Sequence, residues 1–152
     1  MSTSTVPPAA AIAFGRVTPV LRVKDVKASE EYYVHKLGFK RDFGAAGFVA
    51  VTRGKTQLFL CEGDQGNPGS WVWIDGVDVE KVYEELLASG AKIRHKPTNY
   101  PWALEMQVED LDGNVLRIGS DPNKDEPTGE WLDMHGVRWT PLADGGWKRV
   151  DL

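Results

Sequence analysis

The chain has 152 residues, of which 41% are hydrophobic, and its formal net charge at pH 7 is −4. This length suits a single globular domain, and six tryptophans are ample for a hydrophobic core. The acidic balance, with no run of Lys or Arg, argues against binding to nucleic acid or to an anionic membrane surface. We therefore expect the partner to be a small neutral or cationic molecule.

The N-terminal segment and the cysteine content indicate where the protein resides. The first 14 residues lack the basic start of a signal peptide, and no segment approaches the roughly 20 apolar residues of a membrane span. The single cysteine, Cys61, cannot form a disulfide within this chain, and its alternating apolar surroundings predict a buried position. These features predict a cytoplasmic protein whose residues 1–14 form a flexible lead.

The first half of the chain predicts one strand, one helix and three further strands. Residues 16–23 have a strand-like pattern, in which Pro19 suggests an edge or a local irregularity. Residues 25–36 predict a helix that is stopped by Gly38. The inward side of this helix is expected to carry Val26, Ser29, Tyr33 and Leu37. Short β-like runs follow at residues 39–43, 48–52 and 56–61.

The second half repeats this order after a polar, glycine-containing stretch at residues 62–70. Residues 71–75 predict a strand, and residues 77–89 predict an amphipathic helix that ends at Gly90. This helix is expected to bury Val79, Val82, Tyr83, Leu86 and Leu87. A strand at residues 91–95, a loop containing Pro, Asn and Tyr, and a hairpin complete the half. A repeat of about fifty residues predicts two βαβββ modules.

The hairpin at residues 102–119 has the clearest strand pattern. Apolar and polar residues alternate along its first strand, so that one face is apolar and the other polar. The apolar face is expected to contain Met106, Val108, Leu116 and Ile118. An Asp-Gly-Asn turn fixes the register, which places Gln107 opposite Arg117 and brings Glu105 close enough to offset the guanidinium charge.

These motifs resemble the vicinal oxygen chelate superfamily, which contains glyoxalases, bleomycin resistance proteins and extradiol dioxygenases. The resemblance rests on VTPVLRVKDVKASEEYYVHKLGF, on a second V-D-V helix that ends in Gly, and on VEDLDGNVLRIG. It implies an α+β fold in which two βαβββ modules, at about residues 15–62 and 70–121, form a curved mixed sheet around a cleft. It also implies a homodimer, and the pattern is closest to the bleomycin-resistance-like branch.

The resemblance also implies positions for a divalent metal, which family enzymes hold with His, Gln or Glu. In this chain those positions fall on Thr18, about Gly69, and Arg117. None of these residues can replace the expected ligand, and a guanidinium would repel a cation. The three histidines, His35, His95 and His135, are expected at exposed or terminal positions. We therefore predict no metal and no cofactor, and the sequence favours a protein that is not an enzyme.

Aromatic residues give the positive functional signal, because strands and strand ends that carry them can present flat surfaces to an organic ligand. The predicted ligand-binding residues are Phe43, Phe59, Trp71, Trp73, Tyr100, Trp102, Glu105 and Arg117. The alternative for the aromatic residues is that they fill the core. The alternative for Glu105 and Arg117 is a cross-strand ion pair that supports the hairpin.

Residues 122–152 extend beyond the resembling domain, residues 15–121, and contain three further tryptophans. This extension is too aromatic for a disordered tail, so we expect it to pack on the domain or across a dimer partner. Within it, residues 133–136 are a candidate lid over the cleft.

Three functions are compatible with these patterns. The first is a metal-free protein that sequesters an aromatic or cationic antibiotic or metabolite in a dimer cleft. The second is a metal-dependent glyoxalase-, isomerase- or dioxygenase-like enzyme whose rearranged metal site recruits His135 or Glu105. The third is a structural or regulatory partner module. The replaced metal ligands, the acidic balance and the aromatic residues favour the first.

Overall fold

The structure, a computed structural model, describes residues 12–151, so the predicted lead at residues 1–14 lies almost entirely outside the described residues. The described part forms two helices and eleven strands. In chain order these are β1 (Val20–Arg22), α1 (Val26–His35), β2 (Lys40–Ala45), β3 (Phe48–Arg53), β4 (Thr56–Cys61), β5 (Trp71–Asp75), α2 (Val79–Ser89), β6 (Lys92–Asn99), β7 (Leu104–Glu109), β8 (Val115–Ser120), β9 (Trp131–Leu132), β10 (Arg138–Pro141) and β11 (Trp147–Arg149).

The strands form three sheets, two of which have the same topology. The first sheet has the order β1-β4-β3-β2 and the second the order β5-β8-β7-β6. In each, the strand before the helix pairs in parallel with the last strand of its module, and the other pairs are antiparallel. This confirms the predicted α+β fold with two βαβββ modules. The extension adds a small antiparallel sheet of the order β11-β10-β9.

An aspartate caps the N-terminus of each helix. The Asp25 carboxylate accepts hydrogen bonds from the backbone N–H groups of Lys27 and Ala28, both at 3.1 Å. The Asp78 side chain accepts from the Lys81 N–H in the same way. These bonds satisfy donors that a helix leaves unpaired at its N-terminus. Gly90 ends α2 in the left-handed region, with φ at 81°, where glycine carries no steric cost.

One hydrophobic core lies between the helix-bearing faces of the two modules and contains residues from both. At its edge, the Tyr33 hydroxyl donates to Asp110 Oδ2 at 2.8 Å, and the Asn114 amide donates to the Arg22 carbonyl at 3.1 Å. Burial raises the pKa of Asp110 and raises that of Tyr33 well above its usual range. This buried polar network fastens the β7–β8 turn to the first module.

The hairpin has the register that its sequence predicts. Gln107 pairs with Arg117, and the apolar residues that alternate with them pair as Met106 with Ile118 and Val108 with Leu116. The Asp110 carboxylate also accepts from the backbone N–H of Asn114 at 2.9 Å, which closes the turn. Cys61 is buried at the end of β4, as expected.

Three local predictions were wrong. The first strand spans only Val20–Arg22 rather than residues 16–23, because Pro19 has no N–H to donate and the chain before it is exposed. Leu87 is 52% exposed, because the helical period turns Leu86 to the core and leaves Leu87 at the flank. The loop expected after His95 is part of β6, which continues to Asn99 through register shifts.

Within residues 12–151, neither helix has the length and apolar character needed to cross a membrane.

Candidate functional site

The candidate site lies on the face of the second sheet that points away from α2, here named the open face. Alternation along β5, β7 and β8 places the core residues on one side of the sheet and polar or aromatic residues on the other. The open face carries Trp71, Trp73, Glu105, Gln107 and Arg117. The sequence therefore brings five of its chemically distinctive side chains together on one surface.

An ion pair between Glu105 and Arg117 forms the polar centre of the open face. Arg117 Nε lies 2.7 Å from Glu105 Oε2, and Arg117 Nη2 lies 3.0 Å from Oε1. Glu105 is only 1% exposed, and its Oε1 also accepts from the indole N–H of Trp102 at 2.8 Å. The guanidinium carbon lies 5.1 Å from the ring centres of both Trp73 and Trp131, so that indoles flank the cation.

The family metal site does not fit the residues present. The Thr18 hydroxyl donates to Gln57 Oε1 at 2.9 Å, and Gly69 offers no side chain. Arg117 is fully engaged with a buried carboxylate, and a guanidinium cannot give up its proton to bind a metal. Within residues 12–151, no three His, Cys, Asp or Glu side chains are grouped so that they could share an ion. His35 and His135 are exposed, and His95 lies within β6.

Trp102 stands at the edge of the open face on an aromatic support. Its ring stacks on Tyr100 with centroids 4.8 Å apart and an interplanar angle of 4°. Tyr100 itself is buried, and burial raises the pKa of its hydroxyl to about 12. That hydroxyl donates to the Glu130 carbonyl at 2.7 Å. Trp102 remains 43% exposed, so it presents a rigidly held indole to solvent.

A cavity of about 520 Å³ lies between Trp73 and Trp102, here named the tryptophan cavity. Trp73 is 42% exposed and packs against Gly119, where an added Cβ would be 2.3 Å from Trp73 Cη2. The cavity is also lined by the exposed carboxylates of Asp75 and Asp121. Neither carboxylate is paired with a cation in the described part of the chain. The cavity thus combines two indole surfaces with two negative charges.

The first sheet carries a second aromatic surface on the face that points away from α1. Phe43, Phe48 and Phe59 form a cluster with ring centroids 5.1 to 6.1 Å apart. Phe43 is 49% exposed, although it belongs to a cluster of three rings. An exposed aromatic cluster on a sheet face is typical of a surface that binds a ligand or another subunit.

The C-terminal extension packs on the open face of the same chain, which is one of the two arrangements that its composition predicts. The Trp131 ring lies 5.6 Å from that of Tyr100 and 5.7 Å from that of Trp102. Arg94 donates to the carbonyls of Leu132 and Asp133 and also to Gln107 Oε1. Residues 133–136, the candidate lid, form the turn between β9 and β10.

The predicted site residues therefore divide into two groups. Phe43, Trp73 and Trp102 are exposed, and Phe59 lies beside Phe43. Trp71, Tyr100, Glu105 and Arg117 are covered or paired. Of these, Tyr100 and Glu105 contact the exposed Trp102, and Arg117 contacts the exposed Trp73.

Sequence reasoning missed several residues at this site. Trp131, Trp139 and Trp147 are spaced eight residues apart, which is the spacing that successive short antiparallel strands produce. That regular spacing was the available signal. No sequence pattern indicated the position of Arg94, because that position depends on a register shift after Ile93.

A larger cavity, of about 600 Å³, lies between the modules on the helix-bearing sides. Its lining is mainly aliphatic core, such as Leu86 and Leu116, with Arg53 and Lys55 at the rim. Arg53 is already paired with Glu85 at 2.6 Å. We take the open face as the candidate site instead, because it brings together aromatic and charged groups that can orient a ligand.

A family model described as the Glyoxalase/Bleomycin resistance protein/Dioxygenase superfamily matches residues 13–118. The bleomycin-binding protein from bleomycin-producing Streptomyces verticillus, solved with copper(II)-bleomycin, is 26% identical, with a TM-score of 0.63. The similarity covers 72% of this chain and 98% of that one. No curated protein matches the chain.

Two further solved structures share the fold. An antibiotic-binding protein from a Streptomyces species is 23% identical, with a TM-score of 0.63, over 72% of this chain and 98% of that one. A glyoxalase/bleomycin resistance protein/dioxygenase from Nocardioides is 21% identical, with a TM-score of 0.60, over 78% and 91%. The family match ends before the tryptophans of the extension, so the tail is an addition to the matched domain.

Proposed function

This chain belongs to the glyoxalase/bleomycin resistance protein/dioxygenase superfamily, and we propose that it is a metal-free binding protein that sequesters a flat aromatic cation. The observation that carries the proposal is the tryptophan cavity, where two exposed indoles and two carboxylates converge. The indoles supply stacking surfaces, and the carboxylates favour a positive charge. The 26% identical bleomycin-binding protein, solved with copper(II)-bleomycin, supports a role in ligand sequestration.

The exposed rings have different roles from the residues beneath them. Trp73 and Trp102 contact the ligand, while Tyr100 and Glu105 hold Trp102 in place by stacking and by a hydrogen bond. A ring that is fixed before binding loses little conformational entropy when the ligand stacks on it. Arg117 neutralises the buried charge of Glu105, and its guanidinium lies against the Trp73 ring. The guanidinium charge is therefore already paired when a ligand binds.

The phenylalanine cluster of the first module completes the proposed site across a homodimer. Phe43 and Phe59 lie on a sheet face that α1 does not cover, and burying them against a second copy gains about 25 cal/mol per Å² of apolar surface. We infer that this surface faces the tryptophan cavity of the partner, so that each dimer has two clefts. The protein is proposed to act in the cytoplasm, where it lowers the concentration of unbound ligand by stoichiometric capture.

The test compares 9-aminoacridine, which is a cation at pH 7.5, with acridine, which has the same rings and is neutral at that pH. Quenching of tryptophan fluorescence and titration calorimetry give the affinities. The protein is expected to bind the cation more tightly than acridine. Replacing Asp75 and Asp121 with Asn should weaken 9-aminoacridine binding about two- to thirtyfold, because exposed charge contacts contribute about 0.2–1 kcal/mol each.

Two further variants locate the site. Trp73→Leu should weaken both acridines, because it removes a stacking surface and leaves the carboxylates in place. Leu111→Ala is the matched control, because Leu111 is exposed on the β7–β8 turn and lies outside the cavity lining. Equal affinity of the wild type for the two acridines, or unchanged affinity in Trp73→Leu, would refute the proposal.

A further inference from the structure

The C-terminal extension builds a second concave aromatic surface, here named the tail basin. It has a volume of about 390 Å³ and is lined by Trp102, Trp131, Asp133, Trp139 and Trp147. Four of its five lining residues are therefore indoles, and the fifth is a carboxylate. Trp102 borders both this basin and the tryptophan cavity, but the other four residues belong to the extension alone.

Two of the indoles are fixed through their N–H groups. Trp102 donates to Glu105 at 2.8 Å, and Trp139 donates to Asp133 Oδ2 at 2.9 Å. An indole tethered in this way is held in one orientation before any ligand arrives. Trp147 packs beside Trp102 with ring centroids 5.9 Å apart and stays partly exposed. The rings therefore form a preorganised basin with an open side.

The charge in the basin is negative, and three of the roughly four acceptor positions of its carboxylate are already in use. Asp133 Oδ1 accepts from the backbone N–H groups of His135 and Val137, both at 2.9 Å. The hydrogen bond from Trp139, together with these backbone bonds, lowers the pKa of Asp133, so the carboxylate is ionised at neutral pH. A ligand drawn by this charge does not need N–H donors of its own. A cation without N–H groups therefore suits the basin, because it leaves few acceptor positions unsatisfied.

The positive groups Arg94, Arg117 and Arg138 near the basin have contacts of their own. Arg94 donates to the carbonyls of Leu132 and Asp133. Arg117 lies 5.1 Å from the Trp131 ring centre and pairs with Glu105, and Arg138 lies 3.7 Å from Glu130. Because Arg117 already uses the Trp131 ring, a bound cation is attracted mainly by the other three indoles.

We propose that the tail basin is a binding site for a quaternary ammonium group, separate from the ligand site of the tryptophan cavity. Methylated ammonium ions are recognised by aromatic rings that surround them, with a nearby carboxylate adding attraction. The basin supplies both, outside the part of the chain that the family model matches. The inference is independent of the proposed capture of aromatic cations.

The test uses choline and 3,3-dimethylbutan-1-ol, its uncharged carbon analogue of the same shape, with the full-length protein. Indole N–H signals in ¹⁵N–¹H NMR spectra report which tryptophans respond. Choline is expected to shift the signals of Trp139 and Trp147, and the neutral alcohol should shift them far less at equal concentration. Trp147→Ala should weaken choline about tenfold, because it removes one wall of the basin.

Asp133→Asn gives a second variant, which removes the charge and keeps one oxygen acceptor in the turn. It should weaken choline and leave binding of the neutral alcohol unchanged. Met134→Ala is the matched control, because Met134 is exposed in the same turn and does not line the basin. Equal responses to choline and to the alcohol, or unchanged choline affinity in Asp133→Asn, would overturn the assignment. Trp73→Leu changes the tryptophan cavity and leaves the tail basin intact. If this variant loses acridine binding and still binds choline, the two sites are separate.

Discussion

Replacing Arg117 with methionine is expected to destabilise the protein, because it leaves the Glu105 carboxylate buried without its cation. Glu105 is 1% exposed and receives two of its three hydrogen bonds from the guanidinium, the third coming from Trp102. Removing one partner of a buried ion pair costs about 3–5 kcal/mol. Arg117 is itself 28% exposed in its side chain, so we expect the lower end, about 3 kcal/mol.

Urea unfolding followed by tryptophan fluorescence measures this loss. In a protein of this size, 3 kcal/mol corresponds to a fall in melting temperature of about 6–12 °C. The double variant Glu105→Gln, Arg117→Met should recover most of the loss, because it no longer buries an unpaired charge. Arg117→Lys keeps the charge but loses the forked geometry, and it should lie between the wild type and Arg117→Met.

Comparison of the single and double variants can refute the prediction that the Glu105–Arg117 ion pair stabilises the open face. A loss below about 1 kcal/mol in Arg117→Met, with additive effects in the double variant, would place the pair among ordinary surface salt bridges. The indoles of Trp73 and Trp131 would then not be arranged around a structural cation.

Three further predictions follow from single features. Burial raises the pKa of Asp110 above its ordinary 3.8. At pH values between the ordinary and the raised pKa, the folded state binds more protons than the unfolded state. The contribution of Asp110 to the free energy of unfolding therefore falls as pH rises through this range. The stability difference between wild type and Asp110→Asn, measured by urea unfolding across this pH range, should fall likewise, and a flat difference would contradict the assignment. Gly119→Ala should cost about 1–3 kcal/mol and weaken 9-aminoacridine, because the new Cβ displaces Trp73; calorimetry that finds unchanged binding would argue against it. Analytical ultracentrifugation should find a dimer for the wild type and a monomer for Phe43→Glu, whereas a wild-type monomer at every concentration would exclude the shared cleft.

Much of the fold could be predicted because its patterns are local. The alternation of residues 104–109 and the Asp-Gly-Asn turn together fix the hairpin register, and the pairing of Gln107 with Arg117 follows from them. The aspartates that cap the helices, Asp25 and Asp78, were a further local signal that the sequence offered, but the caps were not predicted from it.

The arrangement of the site was harder to predict because it depends on contacts between distant segments. Alternation predicts that Trp71 and Trp73 share a face, but only the packing of Trp131 shows that Trp71 is partly covered while Trp73 is exposed. The extension has strands of two to four residues, too short for periodicity to show which side its indoles face. The exposure of Leu87 was hard to predict for a similar reason, because a shift of one residue along the helix, from Leu86 to Leu87, moves a side chain from the core to solvent.

A crystal structure of the protein with 9-aminoacridine bound tests the central claim most directly. The account predicts a chemically unchanged acridine ring in the tryptophan cavity, in contact with Trp73 and Trp102 and with its charge near Asp75 and Asp121. In the dimer, the partner subunit's Phe43 should close the cleft. A ring bound instead in the cavity between the modules, or recovered in altered form, would contradict capture at the open face.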